Sequence, residues 1–178
     1  MPRLFLRPIL ASLALLPVVA GCTATKDQPP CPPVYILSDA SHVTHFRPGP
    51  GHDLTDVDVQ AEIIGFHGEC GFKERAEGGD VKVSLQVAFD VKRGPANTSH
   101  KADLTYFVAI PAFYPQDQAK AVFPVTIEFP EGLNDVRHVD QAVAVTIPVK
   151  SHDLINKYEV YLGFQTSADE LEHNRASK

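Results

Sequence analysis

The chain has 178 residues, with 16 basic and 22 acidic side chains and a formal net charge of -6. That balance gives it no electrostatic reason to seek nucleic acid or anionic lipid, and the length suits one domain with a real core rather than two. Trp is absent and Met1 is the sole methionine, which argues against a soft, Met-rich binding groove.

The chain opens with Arg3 and Arg7, followed by an apolar run from Ile9 to Ala20 that is broken by Ser12 and Pro17. This is the layout of a secretory signal, and it is too short to span a bilayer with ease. Val19, Ala20 and Gly21 then lead directly into Cys22. The run resembles the lipobox of bacterial lipoproteins; the alternative is an ordinary apolar leader with a chance cysteine.

The resemblance implies removal of residues 1–21 and a lipid on the Cys22 thiol, with a further acyl chain on the freed amine. Two or three chains hold a protein stably on a membrane, whereas one is marginal. Thr23 stands where many Gram-negative lipoproteins kept at the inner membrane carry Asp, so the resemblance implies the periplasmic face of the outer membrane. It covers residues 1–23 only, so it assigns no site in the rest of the chain. Loss of the leader removes two basic and no acidic residues, taking the formal charge to -8.

With Cys22 given to lipid, the two other cysteines of an exported protein, Cys31 and Cys70, become candidate disulfide partners. The bridge would stabilise by roughly 4 kcal/mol on the chain-entropy model. The alternative is two free, buried thiols. Residues 22–33 are polar and carry Pro29, Pro30, Pro32 and Pro33, the composition of an extended tether. At about 3.1 Å per residue, the path from Cys22 to Cys31 reaches at most roughly 28 Å.

Beyond Pro33 the apolar residues recur at every second position, the period of a strand with one buried face. Val34 to Leu37 and Val43 to Phe46 predict two short strands, and Val57 to Ile63 a third. Val81, Val83, Leu85, Val87, Phe89 and Val91 give the clearest alternation. Leu104 to Ile110, Val125 to Phe129, Val143 to Ile147 and Tyr158 to Phe164 complete seven or eight strands. Turn-forming clusters at residues 48–51, 77–80, 94–97 and 130–132 separate them.

The expected fold is therefore all-β, an antiparallel β-sandwich of immunoglobulin-like architecture over residues 34–166, with a closed barrel as the other possibility. A short helix and tail follow at 167–178, where Ser167 and Glu170 form a capping box. Leu171 is its only sizeable apolar residue, which predicts weak docking.

Chemistry-bearing motifs are sparse. His42, His45 and His52 are the densest of eight histidines, but residues three apart on a strand face opposite ways, so His42 and His45 make a poor chelating pair. Asp53, Asp56 and Asp58 lack the spacing of a calcium loop and read as charges that keep an edge strand soluble and unpaired. No nucleophile elbow, zinc-protease motif or phosphate loop occurs, and Ser99–His100 and Ser151–His152 are neighbours that point apart in extended chain. No catalytic residue, cofactor or metal site is expected.

The most unusual segment is Pro111 to Gln116, where Phe113 and Tyr114 sit between prolines. Aromatics so placed suit contact with a partner or a glycan, or else plug one end of the sandwich. Two functional expectations follow. One is a non-enzymatic lipoprotein attached to the membrane through Cys22 and binding another envelope protein. The other is a glycan- or metal-binding accessory lipoprotein using Phe113, Tyr114, His42 and His45.

Overall fold

A computed structural model describes residues 30–150 and 153–176 of the chain. Cys22, the leader, most of the tether and the Ser151–His152 pair lie outside the described residues. Among the described residues there are nine strands: β1 (Val34–Ile36), β2 (His42–Phe46), β3 (Val57–Arg75), β4 (Gly78–Arg93), β5 (Lys101–Ala109), β6 (Lys120–Glu128), β7 (Asp135–Val139), β8 (Val143–Val149) and β9 (Val160–Phe164). An α-helix, α1 (Ala168–Ala176), follows.

The strands form two sheets. One has the order β1-β9-β5-β6; the other has β2-β3-β4-β7, with β8 also paired to β4. No strand belongs to both sheets, so the architecture is a sandwich and not a barrel. All pairs are antiparallel except β1 with β9, which run parallel at one edge. Parallel pairing needs a long crossover, and here almost the whole domain separates the two strands.

β4 organises the larger sheet. Its alternate residues Val81 through Val91 are all buried, as the sequence period requires. Each such side chain contributes roughly 1.5–3 kcal/mol of burial. β3 pairs along its whole length on one side, while β8 and β7 share the other, at residues 79–85 and 88–92 of β4. Across the interface Phe89 packs on Tyr106 of β5 and Phe164 of β9, with ring centroids 5.4 and 5.7 Å apart. The buried Tyr106 hydroxyl donates to Asp140 at 2.8 Å.

Two features depart from the sequence reading, and the turn expected at residues 77–80 is present. β3 continues twelve residues past Ile63, through a bulge at Ile63/Gly65, although Gly65, Gly68 and Gly71 break the alternation. The strong β4 strand supplies the partner that this stretch cannot specify for itself. β7 is a ninth strand, half-covered and polar at three of its five positions, recruited by the same neighbour. Gly78, at φ +121°, closes the β3–β4 hairpin where a Cβ would collide with the Val149 carbonyl, so only glycine fits.

The aspartate cluster is also corrected. β3 is an interior strand at Asp58, flanked by β2 and β4, so no edge needs protecting there. Asp56 is buried, and its carboxylate pairs with Arg47 while its backbone carbonyl accepts from the Arg47 amide at 2.9 Å. Asp53 accepts from the Thr55 amide at 2.7 Å. These aspartates fold the 47–56 loop.

The helix has the expected reciprocal cap: Glu170 N–H donates to Ser167 Oγ at 3.2 Å, and Ser167 N–H to Glu170 Oε2 at 2.7 Å. Its docking is polar, through a residue the apolar pattern does not single out. Asn174 is fully buried against β2 and the turn before it. His173 meets Phe46 edge-on, and Arg175 pairs with Asp39.

Candidate functional site

The described residues gather Cys31, Cys70, Phe113 and Tyr114 at one end of the sandwich. β5 ends there, β9 begins there and the chain enters β1 beside them, level with the Cys70–Val83 pair of the β3–β4 hairpin, whose turn extends further. Cys31, in the segment before β1, is bonded to Cys70 on β3, with Cα atoms 5.8 Å apart. The disulfide thus ties the lead-in of the four-stranded sheet to a strand of the other. Two residues on, the Pro33 carbonyl accepts from the Val160 amide at 2.9 Å, which fixes the lead-in against β9.

Phe113 and Tyr114 occupy this end and separate in role. Pro111 starts a 3₁₀ turn that ends the pairing of β5 and reverses the chain, closed by Phe113 N–H to the Ile110 carbonyl at 3.0 Å. The Phe113 ring lies against Tyr158, centroids 5.5 Å apart, and covers the end of the core. Tyr114 is 82% exposed. One aromatic therefore plugs the sandwich and the other projects from it.

Tyr158 is held in turn by Asp153. The Asp153 carboxylate accepts from the Tyr158 hydroxyl at 2.5 Å, from the Lys150 amide at 2.9 Å and from the Lys157 ammonium. Those three donors, Lys157 foremost, keep its carboxyl far below the usual carboxylate range. Desolvation and then the Asp153 carboxylate push the Tyr158 phenol up. Leu154, 72% exposed, heads the 3₁₀ turn that leads to Tyr158. A cleft of about 390 Å³ separates this segment from the β3–β4 turn, with Phe72, Arg75 and Lys150 in its wall.

Asp153, Leu154 and Tyr158 were not legible as site residues, because Tyr158 continues the strand alternation of β9. The available signal was Asp153 with Lys157 four residues later, a pair that a turn of helix brings together.

The histidines do not converge on this end. His42 and His45 both lie on β2, where His42 stands opposite Glu62 and His45 opposite Val59. His45 approaches Glu170 at 3.5 Å, and His52 packs on Phe46. Among the described residues no group of three or more His, Cys, Asp or Glu side chains is placed to hold a metal ion. Nor is any described helix long and apolar enough to cross a membrane.

Compared with known proteins, the chain matches no family model, no curated protein and no solved structure. The class defined by the geometry is a disulfide-bonded, all-β sandwich.

Proposed function

We propose that this protein is a lipid-anchored component of the bacterial envelope, carried on the Cys22 thiol, whose sandwich acts by contact rather than by catalysis. The observation that carries the reading is the run Val19-Ala20-Gly21-Cys22 after a basic and apolar leader. The Cys31–Cys70 disulfide supports it: such a bond suits an oxidising compartment, and of the three cysteines Cys22 is the one it does not use. The short proline-rich tether would keep the sandwich within roughly 28 Å of the lipid, on the periplasmic face of the outer membrane. Another envelope protein is the partner this placement suits.

Mass spectrometry of the mature N-terminus is the direct test. The expected product begins at Cys22 and carries a diacylglyceryl thioether, and Cys22→Ser releases the protein from the membrane fraction. An unmodified Cys22, or one found in a disulfide, overturns the proposal. A second reading, a glycan-binding accessory, rests on the projecting ring of Tyr114. A thermal-shift screen with cell-wall and capsular sugars that moves no transition removes it.

A further inference from the structure

We propose that the end of the sandwich bearing Tyr114 and Leu154 rests in the headgroup layer of the same membrane that holds Cys22, giving the domain a second, non-covalent contact with the bilayer. This deepens the lipoprotein reading and rests on it.

The placement follows from a short series of contacts. Seven residues separate Cys22 from Pro30, where the described chain begins. Cys31 is then fixed to β3 by its disulfide, and the Pro33 carbonyl is fixed to the start of β9. Two residues before that start lies Tyr158, whose ring packs on Phe113, the neighbour of Tyr114. Leu154 leads into the turn that ends at Tyr158. Cys31, beside the start of the described chain, and the exposed Tyr114 and Leu154 therefore lie at one end of the sandwich.

The chemistry of those side chains fits a bilayer interface. Tyrosine combines an apolar ring with a hydroxyl that can stay among headgroups, and it concentrates at that depth in membrane proteins. Leu154 adds an aliphatic group beside it, at 72% exposure against 82% for Tyr114. Lys150 stands on the same segment, exposed, where its stem can lie along the surface and its ammonium group reach phosphate, while the Lys157 ammonium is held by Asp153. The intrinsic affinity required is small. A short tether holds the tip at a millimolar effective concentration near the membrane, so a contact too weak to recruit a free protein can still orient a tethered one.

The opposite end supplies an internal control. Leu54, 83% exposed, lies in the loop between β2 and β3. The stretch of β4 from Val83, level with the Cys31–Cys70 bond, to Arg93 separates the two positions, which at about 3.3 Å per residue is on the order of 30 Å.

The chain contains no tryptophan, so Tyr114→Trp and Leu54→Trp each create a sole indole, excited selectively over the tyrosines, at an exposed position. Each full-length variant, purified from membranes, is reconstituted into phosphatidylethanolamine–phosphatidylglycerol vesicles with or without bromine on the upper acyl chain. The Tyr114→Trp variant should lose emission about twofold with brominated lipid and shift to the blue, while Leu54→Trp stays unquenched. Both variants carry the same indole, so the interfacial preference of tryptophan itself cannot produce the difference. Equal quenching at the two positions, or none at either, in a protein that floats with the vesicles and shows acyl chains on Cys22, overturns this contact and leaves the anchor standing. A protein without acyl chains on Cys22 overturns both.

Discussion

The side-chain amide of Asn174 donates to the main-chain carbonyl of His42 at 2.7 Å and, with its second proton, to that of Asp39 at 3.1 Å. A residue near the end of the chain thereby completes backbone groups near the start of the sandwich. Asn174→Ala leaves those carbonyls buried without donors and should cost about 1–3 kcal/mol. Limited proteolysis should then clip α1 well before the strands. A variant with wild-type protease resistance and melting temperature would show that the capping box and Arg175–Asp39 pair hold the helix alone.

The disulfide acts at the opposite end of the described chain. Replacing both Cys31 and Cys70 by serine should lower unfolding free energy by about 4 kcal/mol, as expected for a closed loop of this length. Urea unfolding of the oxidised protein and the double variant measures it. Equal midpoints would mean that the reduced chain is already confined by other contacts.

Tyr106 and Asp140 form a polar contact within an otherwise apolar interface. Burial, and then the Asp140 carboxylate, raise the Tyr106 phenol above its ordinary value. A folded-state pKa above the unfolded one gives stability that is fully present below about pH 10 and is lost as pH rises beyond it. The wild type should lose stability from about pH 10 upward more steeply than Tyr106→Phe, which in turn should be about 1 kcal/mol less stable at neutral pH. Urea midpoints at neutral and alkaline pH separate the two effects.

The shift at Asp153 has the opposite sign. Its folded-state pKa is depressed, so its contribution is present above the usual carboxylate range, near pH 4, and fades as pH falls through that range. Asp153→Asn should flatten the acid side of the melting-temperature profile below about pH 4 and loosen the Tyr158–Phe113 pair. Unaltered acid sensitivity would place the titrating group elsewhere.

The alternation of β4 was readable because both its period and its β-branched residues favour a half-buried strand, and the structure buries every residue of it that the period selects. The outer half of β3 was not, since glycines carry no pattern and its pairing is imposed by β4. β6 and β8 were readable from Val125 to Phe129 and Val143 to Ile147; Pro124 and Pro148 stand in them, and each strand pairs on one side only, where proline is tolerated. The helix cap could be read because it is local. Asn174 could not, because its partners lie more than 130 residues away. At the candidate site, the prolines marked Phe113 and Tyr114, but only the fold distinguishes the ring that covers the core from the ring that faces outward.

The bond between Cys31 and Cys70 also determines how the domain bears a pull. Tension applied through the residues before Cys31 would otherwise load β1, three residues paired to one neighbour, and peel it from the edge of its sheet. Instead the covalent link carries the force past β1 into β3, whose 16 register pairs with β4 span the larger sheet. The weakest strand lies outside the load path, and the sandwich hangs from its longest.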